Sequence, residues 1–245
     1  MKACILGQHG LIGSAVAKKI KEQGGTVTSN PTKDVDVVIN LASPTHLKFQ
    51  ENVEYHMAEA IGSAQVLLPF CATNNIPYLY ASSALVYEPE KKFALRNCKL
   101  ILEQMAEAYG GKTLGLRIFP VYGPGEGTTA ITQWCNAMNY GERPIIYGDG
   151  TQERDFIYVD DVADNIINLI SQTGIVDVAG GHPISFNEVV KVINEELGTS
   201  LEPTYVGAPT GYSKGVTTDK PLPTKVSIHD GIRKILGQPL FFGWD

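Results

Sequence analysis

Cys4-Ile5-Leu6-Gly7-Gln8-His9-Gly10-Leu11-Ile12-Gly13 decides the fold. A short apolar run enters three glycines separated by pairs of other residues. Ile12, Val16 and Ile20 then recur at helical spacing until Gly24-Gly25 ends the pattern. A strand, a glycine-rich turn and a helix in that order suit one physical task. The glycines let backbone approach a phosphate, and the helix N-terminus offers free N–H groups at the positive end of its dipole. The stretch therefore predicts a cradle for the pyrophosphate of a dinucleotide, lined by Gly7, His9, Gly10, Leu11, Ile12 and Gly13.

Outward from that turn, short apolar runs alternate with helical patterns. Val35 to Asn40 predicts a strand, and Val53, Met57, Ile61, Ala64 and Leu68 predict a long helix. Pro77 to Ala81 predicts a strand, Leu100, Ile101, Met105 and Ala108 a helix, and Thr113 to Ile118 a further strand. Such alternation implies an α/β fold with a doubly wound, Rossmann-like parallel sheet and helices on both faces. From Pro120 onward glycine and proline become dense. Phe156 to Val159 predicts a strand, and Val162, Ile166 and Ile170 a helix. Ser185-Phe186-Asn187-Glu188 is a capping box opening a helix to Gly198, and Ser227 caps a last one. The expected division is a dinucleotide-binding domain of residues 1–120 and 155–178, with a small C-terminal α/β substrate lobe of residues 121–154 and 179–245.

Composition narrows the function. The 245 residues are 43% hydrophobic and 19% charged, with a net charge of −6, enough apolar material for a large core. No Lys/Arg run gives nucleic acid an electrostatic footprint, so an anionic ligand must meet a few placed cations. No stretch is long and apolar enough for a membrane span, and no signal peptide is read ahead of the first strand. Cys4, Cys71, Cys98 and Cys135 are far apart, without C-x-x-C pairs, so no metal site is expected. Reduced thiols in a cytoplasmic protein are the expectation.

Many dinucleotide folds carry an acid about 20 residues past the turn, where it holds ribose hydroxyls. Here that region reads Thr28-Ser29-Asn30-Pro31-Thr32-Lys33, with no carboxylate before Asp34. Asn30 can hydrogen-bond a ribose, while Lys33 and His9 can meet a 2′-phosphate. Lys33 reads equally well as a solvated loop lysine. The cofactor is thus NAD or NADP, with a tilt towards NADP.

The Gly7–Gly13 spacing resembles that of the extended short-chain dehydrogenase/reductase family of nucleotide-sugar epimerases, dehydratases and reductases. Four further segments resemble the family in the right order: Asn40-Leu41-Ala42-Ser43, Ala81-Ser82-Ser83-Ala84-Leu85-Val86-Tyr87, Arg117 to Gly125, and Tyr147 to Ala163. The resemblance implies that Leu41, Ala42, Ser43, Ala81, Pro120 and Val121 line the cofactor and that Lys99, with Glu103 one turn on, holds the nicotinamide ribose. It also implies that Ser83 bonds the sugar at the reacting carbon, with Ser82 structural, and that Tyr147 and Arg154 bind a nucleotide-sugar. A guanidinium suits a diphosphate because its fork pairs with two oxygens. The plainer alternatives are a strand-end hydroxyl satisfying backbone for Ser83 and an ion pair with Asp155 or Asp160 for Arg154. The resemblance further implies a homodimer formed by helices near 53–74 and 97–109.

The resemblance breaks at the proton donor. The family pairs Tyr-x-x-x-Lys on one helix, and counting back four from Lys99 gives Leu95. Leucine moves no proton. Tyr87-Glu88-Pro89-Glu90-Lys91 has the spacing, but Pro89 opposes a helix through it. Pro120 also replaces the family's asparagine, and the segment between Ser83 and Leu95 is short. Ala84-Leu85 stands where dehydratases carry an acidic pair, which disfavours a 4,6-dehydratase. The expected activity is an NAD(P)-dependent nucleotide-sugar epimerase or 4-keto-sugar reductase with an atypical proton donor, for which Cys98, Tyr87 and Tyr122 are candidates beside the catalytic Ser83 and Lys99. The alternative is a catalytically impaired binding protein acting as a sensor or partner subunit.

Overall fold

The alternating apolar runs become one parallel sheet. The structure, a computed structural model, describes residues 1–43, 54, 57–88, 94–125, 129–208, 212 and 215–237. Val53 and Lys91 lie outside them. In chain order the elements are β1 (Lys2–Leu6), α1 (Leu11–Glu22), β2 (Thr26–Thr28) and β3 (Val37–Asn40). A π-helical stretch (Met57–Gly62) leads into α2 (Ser63–Asn74), followed by β4 (Tyr78–Ser83), a 3-10 turn (Ala84–Tyr87), α3 (Ala94–Tyr109) and β5 (Thr113–Ile118). Next come β6 (Val121–Tyr122), α4 (Ala130–Asn139), β7 (Ile145–Tyr147), β8 (Glu153–Asp155), β9 (Ile157–Tyr158) and α5 (Val159–Asn168). The described chain ends with β10 (Gly174–Val178), β11 (Pro183–Ser185), α6 (Phe186–Leu197), β12 (Thr204–Val206) and α7 (Ile228–Leu236). No helix among the described residues is long and apolar enough to cross a membrane.

Two compact units emerge: Met1–Ile118 with Val162–Val178, and Phe119–Asp161 with Ala179–Asp245. The first holds a six-stranded parallel sheet in the order β10-β5-β4-β3-β1-β2. Every residue of β3 is buried, as covering both faces of a parallel sheet requires. Cys4, Val38, Tyr78 and Tyr80 pack with Leu67, Leu68 and Cys71 of α2 and with Leu102 and Ala106 of α3. On α1 and α5, Lys19 and Asp164 form an ion pair. The winding changes direction between β1, which has β2 on one side, and β3, which leads to β4 and β5. Leu6 and Asn40 lie opposite each other there, at the carboxyl ends of their strands. Ligands of open α/β sheets bind at such a switch point.

The second unit packs α4, α6 and α7 with three two-stranded ladders. Its aromatic core includes Trp134 against Phe186, ring centroids 5.0 Å apart, and Tyr122 against Tyr158 at 5.4 Å. The capping box is present. Ser185 Oγ accepts from Glu188 N at 3.2 Å, and the Glu188 carboxylate accepts from Ser185 N at 3.0 Å.

Residues 155–161, expected with the dinucleotide domain, belong to this second unit. Asp155 is fully buried and accepts from the backbone N–H groups of Gly180 (3.1 Å), Gly181 (2.9 Å) and His182 (3.4 Å). Ile157 and Tyr158 pair with Val121 and Tyr122. Asp161 accepts from Lys225 N at 3.0 Å and Val226 N at 3.1 Å. The expected strand Phe156–Val159 shrinks to Ile157–Tyr158 because Val159 opens α5, and Ile170 falls beyond the end of that helix.

Candidate functional site

The three glycines of the turn do different things. Gly7 has φ +80°, and a Cβ there would lie 2.8 Å from Ala42 N and Leu41 C. A Cβ on Gly13 would lie 2.0 Å from the Gly7 carbonyl oxygen. Those two glycines are required by the fold itself. Gly10 is not: its φ is −76°, and an added Cβ would meet only the Gly7 oxygen, at 3.5 Å. Gly10 is exposed and forms the N-cap of α1 with no side-chain cap and no acid in the first helical turn. A pyrophosphate fits there: the uncapped N–H groups of the first turn have acceptors to gain, and the open space at Gly10 lets an anion reach them. Leu11 and Ile12 are half-buried, Gly13 is buried and His9 is exposed.

The neighbouring strand ends complete this edge of the first unit. Buried Asn40 donates from Nδ2 to Ser63 Oγ at 3.0 Å and Tyr78 Oη at 3.1 Å, and its Oδ1 accepts from Ala42 N at 3.3 Å. Leu41, Ala42 and Ser43 follow half-buried, and the Ser43 hydroxyl is buried with no hydrogen-bond partner among the described residues. On β4 the Ala81 carbonyl accepts from Lys99 Nζ at 2.6 Å. Ser83 Oγ accepts from Leu85 N at 3.2 Å and so caps the 3-10 turn, as the plainer reading of that residue expects. Asn30 is exposed just beyond β2. Pro120 and Val121 lie in the second unit, where the Pro120 carbonyl accepts from Ile157 N at 3.0 Å.

Around Lys99 the structure assembles polar groups that the sequence did not reveal as a set. Lys99 is 3% exposed, and burial pulls its pKa down from 10.5 to about 8. One turn on, Glu103 accepts from Ser82 Oγ at 2.5 Å and from Arg117 at 2.9 Å (Nε) and 2.8 Å (Nη2). Arg117 Nη1 donates to Tyr87 Oη at 2.9 Å, and that hydroxyl donates to Asp177 at 2.7 Å. Sheet register explains the cluster: Arg117 of β5 lies opposite Ser82 of β4 on one side and Asp177 of β10 on the other. Separations of 14 to 90 residues between the bonded partners hide this row in the sequence.

Leu95 lies one helical turn before Lys99 on α3 and is 5% exposed. None of the three stand-in proton donors has the property that the role needs. Burial raises the Cys98 thiol. Burial and the hydrogen bond to Asp177 raise Tyr87, whose hydroxyl already has two partners. Burial also raises Tyr122, in the second unit, and its hydroxyl donates to Ser227 O at 3.4 Å. All three hold their protons more tightly than in water, the wrong direction for exchange near neutral pH.

In the second unit Arg154 lies on β8, with its guanidinium 5.3 Å from the Phe186 ring centroid and 5.6 Å from that of Tyr212. Nη1 donates to Glu153 O at 2.7 Å. Adjacent strand residues point to opposite faces, so Asp155 turns away to its three N–H partners rather than pairing with Arg154. Tyr147 is 45% exposed, its ring centroid 6.2 Å from that of Tyr212.

The glycine turn at the switch point of a parallel sheet defines a dinucleotide-binding fold. Residues 29–179 match the family model of the NAD dependent epimerase/dehydratase family. The chain belongs to that family. A UDP-glucuronate 4-epimerase of Thermodesulfobacterium geofontis is 37% identical over 103 residues, 40% of this chain but only 32% of that protein. Protein CapI of Staphylococcus aureus is 23% identical over 325 positions, covering 96% of this chain and 97% of its own length. The solved structure of a UDP-N-acetylglucosamine 4-epimerase from Methanobrevibacter ruminantium, in complex with UDP-N-acetylmuramic acid, superposes with a TM-score of 0.83 at 23% identity, covering 96% of each chain.

Two measurements check this site. Gly10→Val should fold like the parent and lose NADH binding in a fluorescence titration, whereas Gly13→Ala should lower the melting temperature. Equal affinity in Gly10→Val would move the pyrophosphate elsewhere. The second concerns Lys99. Its folded pKa, about 8, lies below the ordinary 10.5, so between those values the unfolded chain binds the extra proton and stability rises with pH. Lys99→Met removes that titration. Its melting temperature relative to the parent should be highest near pH 7 and fall towards pH 10; a difference independent of pH would mean a solvated amine.

Proposed function

We propose that the chain binds NAD or NADP on its first unit and a nucleotide-sugar through Tyr147 and Arg154 of its second, as a slow nucleotide-sugar epimerase or 4-keto-sugar reductase. One observation carries this reading: buried Lys99 is held on the Ala81 carbonyl at the carboxyl end of the sheet, with Leu95 one turn before it. Gly7, Gly10 and Gly13, the first turn of α1, and Leu41 to Ser43 hold the cofactor. The nicotinamide ring, when bound, accepts hydride and returns it.

Hydride removal from a sugar carbinol requires its hydroxyl proton to leave as well. Leu95 offers nothing for that proton. Two groups of this chain remain beside the sugar in this reading. Ser83 has a hydroxyl hydrogen that makes no hydrogen bond among the described residues. Lys99 has an amine that titrates at about 8. Ser83 orients the reacting hydroxyl, and Lys99 takes up or returns the proton at Nζ. The guanidinium of Arg154 meets the diphosphate in two places, and its stacking on Phe186 and Tyr212 fixes the direction of its fork. The cytoplasm and a homodimer complete the proposal. Val66 of α2 (68% exposed) and Ile101 and Tyr109 of α3 (40% and 48%) supply apolar surface on the two helices such a dimer uses.

A second reading, a nucleotide-sugar-binding protein without turnover, is favoured by the raised pKa values of Cys98, Tyr87 and Tyr122. Leu95→Tyr separates the two. Positioned acid–base catalysis of this kind contributes roughly 10²–10⁴-fold. On a panel of nucleotide-sugars and 4-keto-sugars, the variant should raise the wild-type rate by about 10²-fold or more. A rate from zero supports the binding protein. Brisk wild-type turnover that the tyrosine abolishes would overturn the assignment of Leu95 to the donor position.

A further inference from the structure

Lys99 and Glu103 are an ammonium and a carboxylate four residues apart on α3, and both are buried. Side chains at that spacing are neighbours on one helix face, where opposite charges attract. Here they do not bond to each other. Lys99 Nζ donates to the Ala81 carbonyl at 2.6 Å, and Glu103 turns both oxygens to other partners. Its Oε1 accepts from Ser82 Oγ at 2.5 Å and Arg117 Nε at 2.9 Å, and its Oε2 accepts from Arg117 Nη2 at 2.8 Å. The guanidinium is anchored in turn. Its Nη1 donates to Tyr87 Oη at 2.9 Å, and its central carbon lies 4.7 Å from the Tyr87 ring centroid.

The other groups around Lys99 leave Glu103 as the charge that matters. Burial raises the Cys98 thiol, which therefore stays neutral near pH 7. Ala60 and Ile61 of the π-helical stretch pack on Cys98 and bring no charge. On β4, Tyr80 lies near Glu103 and Arg117, and burial raises its phenol, so it too stays neutral. Tyr87 and Asp177 join the cluster through Arg117. Burial lowers the Lys99 amine to about 8, and the Glu103 carboxylate pulls against that fall. A bare carboxylate within reach of an ammonium favours its charged form by about 1–3 pH units. A guanidinium bonded to both oxygens of that carboxylate cancels most of its charge as seen from Lys99. The result is an amine that can lose and regain a proton near neutral pH instead of one locked in an ion pair.

We infer that Arg117 is a positioning residue for Lys99: its two-pronged hold on Glu103 keeps that carboxylate from the ammonium and leaves Nζ on the Ala81 carbonyl. This deepens the proton-carrying role proposed for Lys99 and rests on it for its use in turnover. The experiment is carbon NMR of isotope-labelled lysine side chains in the full chain, following the Lys99 Cε signal against pH, with Lys99→Met to assign it. The parent should titrate at about 8. Arg117→Met leaves Glu103 without its cation, and the Lys99 midpoint should rise by about one pH unit or more. The double variant Arg117→Met/Glu103→Gln leaves no orphaned carboxylate, so it folds more readily than the single one, and its midpoint should return to the parent value. An unchanged midpoint in Arg117→Met overturns the inference. So does a rise that the double variant keeps, because water reaching Lys99 would then be its cause. A fall of about one unit or more in the double variant also overturns it, because Glu103 would then have acted on Lys99 despite Arg117. A chain that turns over no nucleotide-sugar would remove the proton-carrying role, while these titrations of the resting protein would still decide the hold of Arg117 on Glu103.

Discussion

The close approach of Gly13 to the Gly7 carbonyl is the constraint on which the rest of the site depends. A single methyl on Gly13 would sit 2.0 Å from that oxygen, so α1 can descend onto the end of β1 only because both positions lack side chains. Gly7 in turn lies against the backbone of Leu41 and Ala42 beyond β3. Three pieces of backbone meet at the point where the sheet changes its winding direction, and the uncapped N-terminus of α1 opens beside them. Close packing creates the cradle, and Gly10 keeps it open.

A second constraint lies across the carboxyl ends of β4, β5 and β10. Ser82, Arg117 and Asp177 lie in one row, and Glu103 and Tyr87 bind to Arg117 from above it. This arrangement satisfies a buried carboxylate with a two-pronged guanidinium contact, the strongest form of such a pair. The same helix, α3, carries Lys99, whose ammonium donates to the Ala81 carbonyl, with Leu95 one turn before it.

Much of the fold was legible because its signals are local. The β1–turn–α1 unit, the helix cap at Ser185 and the strand Thr113–Ile118 each announce themselves within a dozen residues. What escaped depends on register or on edges. β10 was missed because an edge strand need not be apolar on both faces, and Gly174 and Ile175 are exposed. Without β10, Asp177 could not be placed beside Arg117. The segment Asp155–Asp161 shows no local sign of the unit it packs in, because its buried aspartates bind backbone N–H groups from sequence-distant loops. Lys33 and Asp34 follow β2 closely in sequence, but the chain has already turned back towards Lys2.

Native mass spectrometry of the purified full chain tests the central claim most directly. The account predicts a species carrying the mass of one NAD or NADP per chain, retained from the host or formed on addition. It also predicts a further increment when a nucleotide-sugar is supplied. A chain that stays at its bare mass with either dinucleotide present would contradict it.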